Sequence, residues 1–202
     1  LDGFTNQPPK KGSTVIGIPR GLMAFYQQFP FWRTFFETLG FQVKVSEETN
    51  TQTVKKALSS IVAETCFPVE VMHGHIYELM EDPEVDVVFT PFMINSKAEK
   101  DNPTNNCNCP WVQSYPFMVK ASMPREQKDK MLIPALNFRY FGKATAKELY
   151  DGIGKKFNLS KKEVADAMYL ADAKQEQFEE KIVRRGREVL ASLPEDKECL
   201  AI

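Results

Sequence analysis

Thr14-Val15-Ile16-Gly17-Ile18-Pro19-Arg20-Gly21 is the stretch that decides the fold. Residues 14–18 form a short continuous apolar run, the pattern of a strand covered on both faces, and Pro19-Arg20-Gly21 ends it. Phe31, Trp32, Phe35, Phe36 and Leu39 follow at helical spacing, with Pro30 at the start and Gly40 at the end. Residues 41–45 then alternate apolar and polar, as a strand with one wetter face does. A buried strand, a helix and a half-wet strand in succession predict an α/β domain with a doubly wound parallel sheet. Residues 14–18 should lie inside it and residues 41–45 nearer an edge.

Further along, residues 51–62 and 69–81 show helical apolar spacing, and residues 85–89 read as a strand ended by Pro91. Residues 94–110 read as one long polar loop, residues 111–122 as a helix interrupted by Pro116, and residues 130–136 as the fourth strand. Residues 1–12, with Gln7-Pro8-Pro9-Lys10-Lys11-Gly12, read as a leader, and residues 13–142 as the α/β lobe. Residues 143–202 form a helical extension, expected to lead to a further lobe of a larger polypeptide. Within it, Thr145-Ala146-Lys147-Glu148 and Ser160-Lys161-Lys162-Glu163 both match the capping box, the second with a Leu159 to Val164 staple. The pattern from Ser160 runs to Leu193, about 50 Å of helix, so it should project, bend at Gly186, or bridge to a partner. Exposure of Met168, Phe178 and Ile182 would mark a dimer contact through this helix or the seat of a missing lobe.

Composition narrows the function. A net charge of -1 in 202 residues gives no hint of nucleic acid binding, and the apolar runs are too short to span a membrane. Four cysteines without regular spacing do not read as a disulfide framework, which favours a reducing cytoplasm. Sulfur chemistry is the more informative signal. Cys66 lies two residues before Pro68, at the mouth of a helix, where free amide donors favour a thiolate, the form that ligates metal or attacks as a nucleophile. Asn106-Cys107-Asn108-Cys109-Pro110 forms a second cysteine-proline corner. A helix that returns the chain to the next parallel strand starts at the carboxyl edge of the sheet. Cys66 therefore belongs on the same edge as Arg20, Ser46 and Pro91, where open α/β sheets bind ligands.

Taken together, Ile16-Gly17-Ile18-Pro19-Arg20, Phe29-Pro30-Phe31-Trp32, Cys66-Phe67-Pro68 with His73-Gly74-His75, and Asn108-Cys109-Pro110 with Ser114-Tyr115-Pro116 occur in one order. In these marks the chain resembles the acyl-CoA dehydratase activase-related family, a module associated with activases of 2-hydroxyglutaryl-CoA dehydratase and similar to the dehydratase subunits. The resemblance implies a Rossmann-like lobe with helices on both faces, an anaerobic cytoplasm, and a 4Fe-4S cluster held by cysteines at the carboxyl edge. Its implied partners are an ATP-dependent activase domain and an acyl-CoA substrate. Cys66 and Cys109 fall on the family's cysteine positions, whereas Cys107 does not match one. The third ligand of the dehydratase pattern would come from Cys107 or from another piece of chain.

Other readings of these residues stand beside that one. Cys66 and Cys109 can be partly buried small hydrophobes, and zinc is the alternative metal, although Cys-x-Cys is not its usual spacing. His73, on the Cys66 face of its helix, can support a bound cofactor from behind or satisfy a local hydrogen bond, as His75 can. Arg20 can bind an anion such as a CoA phosphate, or pair with Glu47 or Glu48. Three functions follow: a lobe of an iron-sulfur enzyme or electron-transfer partner, a docking scaffold for an activase, or a CoA or anion-binding domain without redox chemistry. No Walker-type glycine loop is present, so ATP chemistry would belong to another domain.

Overall fold

The computed structural model describes residues 6–8, 11–98 and 106–194. Four parallel strands make the main sheet: β1 (Val15–Ile18), β2 (Gln42–Val45), β3 (Val87–Phe89) and β5 (Met131–Leu132), in the order β2-β1-β3-β5. β1 is thus interior and β2 an edge, as their patterns predict. All four residues of β1 are buried, whereas β2 alternates half-buried and buried. Asn6 covers part of that edge, its amide exchanging two 2.8 Å hydrogen bonds with the backbone of Val45. Of the leader, residues 1–5 and 9–10 lie outside the described residues.

Helices cover both faces. The chain runs from β1 through α1 (Leu22–Tyr26) and α2 (Phe29–Thr38) to β2, and then through α3 (Thr51–Ser60) and α4 (Phe67–Glu81) to β3. On one face α2 packs Trp32, Phe35 and Phe36 onto Ile16, Ile18, Val43 and Phe89. Trp32 is the centre of this core: its ring lies 4.5 Å from that of Phe89 and 4.8 Å from that of Phe31. Gln28 accepts the indole N–H at 3.1 Å, leaving no unpaired donor there. On the other face α4 and α5 (Pro110–Ser122) pack on Val15, Val88 and Met131. Gly17 permits this approach, because a Cβ there would meet Val85 at 2.9 Å and Leu79 at 3.3 Å. Gly74 does the same between helices, since a Cβ would collide with the carbonyl of Thr53 on α3.

Two expectations about the strands change. Residues 94–110 do not begin as loop, because β4 (Phe92–Asn95) forms just after Pro91. The fourth strand is two, β5 and β6 (Ala135–Asn137), with Pro134 between them. β4 enters its pairing with β6 in the same parallel register in which β3 pairs with β5, and the register shifts by one residue between Met93 and Asn95. They are halves of two longer strands, interrupted where Pro91 and Pro134 remove ladder donors. This pair carries the backbone past the carboxyl end of β1. α5 also differs, running unbroken through Pro116, whose ring is buried beside Tyr115 and Val119.

The extension begins with α6 (Lys143–Leu149), a π turn over Tyr150–Gly154, and α7 (Lys161–Ala191). Thr145 is not a cap. Gly142, with φ +140°, starts α6 earlier, and buried Thr145 instead donates to the carbonyl of Asn137 at 3.3 Å. The Ser160–Glu163 capping box does form, with bonds of 3.1 and 2.7 Å, and Leu159 and Val164 pack into the α2 core. α7 is one helix through Gly186, about 46 Å long. Its first half packs on α2 through Val164, Ala167, Met168 and Ala171, so Met168 is core rather than a free contact. Phe178 is half-buried, and Ile182, Val183, Val189 and Leu190 are exposed. Among the described residues no helix is long and apolar enough to cross a membrane.

Candidate functional site at the carboxyl edge

The order of β2-β1-β3 places a topological switch between β1 and β3, because the chain leaves β1 toward one side and returns on the other. By chain order and topology three segments belong to the carboxyl side of the sheet: the turn after β1 with Arg20, the start of α4 with Cys66, and the start of α5 with Cys109. Both helices return the chain to a parallel strand and share one face of the sheet, so their N-termini meet the same carboxyl edge.

Cys66 is the N-cap residue of α4 and Cys109 that of α5, and both are exposed. In each the backbone carbonyl accepts the first bonds of the helix: that of Cys66 accepts from Val69 and Glu70 at 2.9 and 3.2 Å, and that of Cys109 accepts from Gln113 at 3.0 Å. Neither side chain makes a cap bond, so each sulfur is left for other chemistry. Pro68 and Pro110 fall in the first two helical positions, where a missing N–H costs nothing. Both cysteines thus sit at helix mouths, as the prolines beside them predict.

Cys107 is exposed and held differently. It bridges Asn95 at the end of β4, and the Asn95 side-chain amide donates to its Sγ at 3.2 Å. Three buried asparagines fix this segment. Asn95 donates also to Asn106 Oδ1 at 3.2 Å, Asn106 donates to the carbonyl of Ser96 at 3.1 Å, and Asn108 donates to that of Met93 at 2.9 Å. The asparagines serve as backbone substitutes where the strand ladder ends. Their clustering around two cysteines was a visible signal that the sequence analysis left unused. Residues 99–105 and Cys199 lie outside the described residues.

Arg20 is tied to the end of β2. Its backbone N–H donates to Ser46 Oγ at 2.8 Å, its Nε donates to the Ser46 carbonyl at 3.1 Å, and its guanidinium lies 5.0 Å from the Phe25 ring centre. Ser46 Oγ is in turn 3.0 Å from His75 Nδ1, while His75 Nε2 is 2.9 Å from Thr49 Oγ1. Buried Ser46 needs a partner for its hydroxyl proton and exposed Thr49 can give its own to solvent, so Ser46 donates to Nδ1 and Nε2–H donates to Thr49. Burial, reinforced by the Arg20 charge, pushes His75 down to about 4, so the ring is neutral near pH 7. Leu22, the first residue of α1, holds a left-handed φ of 50°, a strained value for a side chain with a Cβ.

His73 faces the interior. It is 1% exposed, bonded to the backbone of Ser60 at the end of α3, and burial lowers its pKa. Its Nδ1 has no hydrogen-bond partner among the described residues. The Glu70 carboxylate on the same helix acts on it electrostatically, and Glu70 Oε1 accepts the Thr65 N–H at 2.9 Å. Among the described residues no three His, Cys, Asp or Glu side chains are grouped so as to hold one metal ion. The fold thus brings the cysteine corners to one edge without assembling a closed ligand set.

Comparison with known proteins adds one match. The family model described as the CoA enzyme activase uncharacterised domain (DUF2229) matches residues 15–202. The chain belongs to that family. No curated protein and no solved structure matches it.

Proposed function

We propose that this member of the CoA enzyme activase domain family is a cysteine-bearing lobe of an acyl-CoA dehydratase system, with Cys66, Cys109 and Cys107 as candidate ligands of a 4Fe-4S cluster. The single observation that supports it most is that two exposed cysteines cap two neighbouring helices on one face, at the sheet edge suited to ligands. Donor chemistry agrees, since iron-sulfur clusters are held by thiolates. Because among the described residues the cysteines do not gather with a third ligand, another segment, lobe or chain would complete the set. When bound, such a cluster supplies a low-potential electron. The chain's own contribution is to hold the sulfurs still: Cys107 accepts from Asn95, and the asparagine network fixes its segment. In this reading the protein works in an anaerobic cytoplasm beside an ATP-dependent activase domain, on 2-hydroxyacyl-CoA substrates.

Anaerobic reconstitution with iron and sulfide, followed by the visible spectrum and iron content, tests the reading. Cys66→Ser and Cys109→Ser should each lower the bound iron sharply. Equal iron in both variants and the parent would remove the ligand assignment. A second reading, a docking scaffold for the activase, draws on the exposed apolar residues of distal α7. Its mark would be activase binding that survives both serine substitutions and is lost when residues 181–194 are removed.

A further inference from the structure

We propose that Arg20 is the anion-binding corner of this edge, built to receive one planar or tetrahedral oxyanion, a carboxylate or a phosphate. A guanidinium carries five N–H donors in a fixed fork. Here Nε is committed to the Ser46 carbonyl at 3.1 Å, and the Phe25 ring 5.0 Å away supports the charged group. The terminal nitrogens face a different situation. Glu48 is the carboxylate paired with them, at 3.8 Å, beyond hydrogen-bond length, and its side chain is 88% exposed against 26% for Arg20. A solvated carboxylate held that loosely is readily displaced, because exposed ion pairs contribute little.

The fork itself is not loose, because Nε and the Arg20 backbone are both held by Ser46. The Arg20 backbone N–H is held by Ser46 Oγ, Ser46 by His75, and His75 by Thr49, with Ser46 and His75 buried. Ser46 and His75 are accordingly positioning residues that keep Arg20 in one orientation before any ligand arrives. Such preorganisation lowers the ordering cost of binding. Glu78 Oε2, 3.7 Å from His75 Nδ1, is the other charged group facing that ring. The site goes beyond the cysteine reading, since it needs no sulfur. Blocking the thiols leaves it intact, and iron content leaves it untested, so the two fail separately.

Titration calorimetry on the full chain, its thiols blocked with iodoacetamide, tests it with two probes. Pyrophosphate represents the phosphate source and glutarate the carboxylate source. At least one should bind the parent protein, and Arg20→Gln should weaken that binding about tenfold or more, as loss of a charge-assisted bond does. Glu48→Gln should bind more tightly, since a competing carboxylate is gone, and His75→Asn should bind less tightly although Arg20 remains. Binding of neither probe, or equal binding by Arg20→Gln, overturns the proposal. Should Arg20→Gln fail to fold, the exposed Glu48→Gln decides, and unchanged affinity there overturns it.

Discussion

Lys97, two residues past the end of β4, holds its ammonium 2.9 and 3.0 Å from the two carboxylate oxygens of Asp172 on α7. Glu176 lies 3.1 Å away, and the Phe141 ring centre 4.8 Å away. Burial opposes the charge, but the bonds from Asp172 and Glu176 outweigh it and raise the lysine above its ordinary range. The neighbouring Ser96 exchanges backbone and side-chain bonds with Asn106, beside Cys107. The C-terminal helix is thereby joined to the segment that carries the second cysteine corner.

Replacing that joint should loosen the corner more than the fold. Lys97→Met is expected to cost no more than about 1 kcal/mol of stability, because the lysine is half exposed. Amide exchange at residues 106–109 and thiol labelling of Cys107 should quicken, while Cys66 labels at its usual rate. Equal labelling of Cys107 in parent and variant would show that the tie does not hold the segment.

His75 makes stability depend on pH. In the unfolded chain it takes up a proton near 6.5, and in the fold only near about 4. Between those values the unfolded state binds more protons, so stability rises with pH: the contribution is complete above the unfolded value and is lost as pH falls toward the folded one. Its size is at most about 3 kcal/mol. His73, also lowered by burial, acts in the same direction. Denaturant unfolding at several pH values should show this slope, and His75→Asn should reduce it. An unreduced slope would assign it elsewhere.

Gly74→Ala should destabilise the lobe by about 2–3 kcal/mol, the scale of overpacking, because the new methyl would meet the Thr53 carbonyl where α3 crosses α4. Chemical denaturation measures it. A neutral substitution would mean that the two helices separate at little cost.

The two halves of α7 should answer differently to mutation. Met168→Ala, in the core against α2, is expected to cost about 2–5 kcal/mol. Deleting residues 181–194, all exposed, should leave the unfolding midpoint of the body unchanged. A marked loss on deletion would show that the distal half stabilises the lobe.

Gln175 marks where local pattern stops being informative. Its side-chain oxygen accepts the backbone N–H of Phe31 at 3.3 Å, and its amide donates to the carbonyl of Gln27 at 2.7 Å, closing the start of α2 from another helix. Phe31 and Gln175 stand 144 positions apart, and no periodicity reports such a bond. What the sequence by itself determined were features set by neighbours along the chain. They include the fully apolar β1 inside the sheet, the alternating β2 at its edge, the Ser160 cap, and the proline-marked helix starts at Cys66 and Cys109. Tertiary structure alone decided that Gly142 overrides the Thr145 box, that Pro91 and Pro134 cut two long strands together, and that Asn95 holds Cys107. It also turned His75 from one of two similar histidines into the buried support of Arg20, while His73 went to α3. The physical reason is the same in each case. Hydrophobic spacing, caps and proline geometry act over a turn or two of chain, whereas hydrogen bonds and steric fit between distant segments exist only once the segments have met.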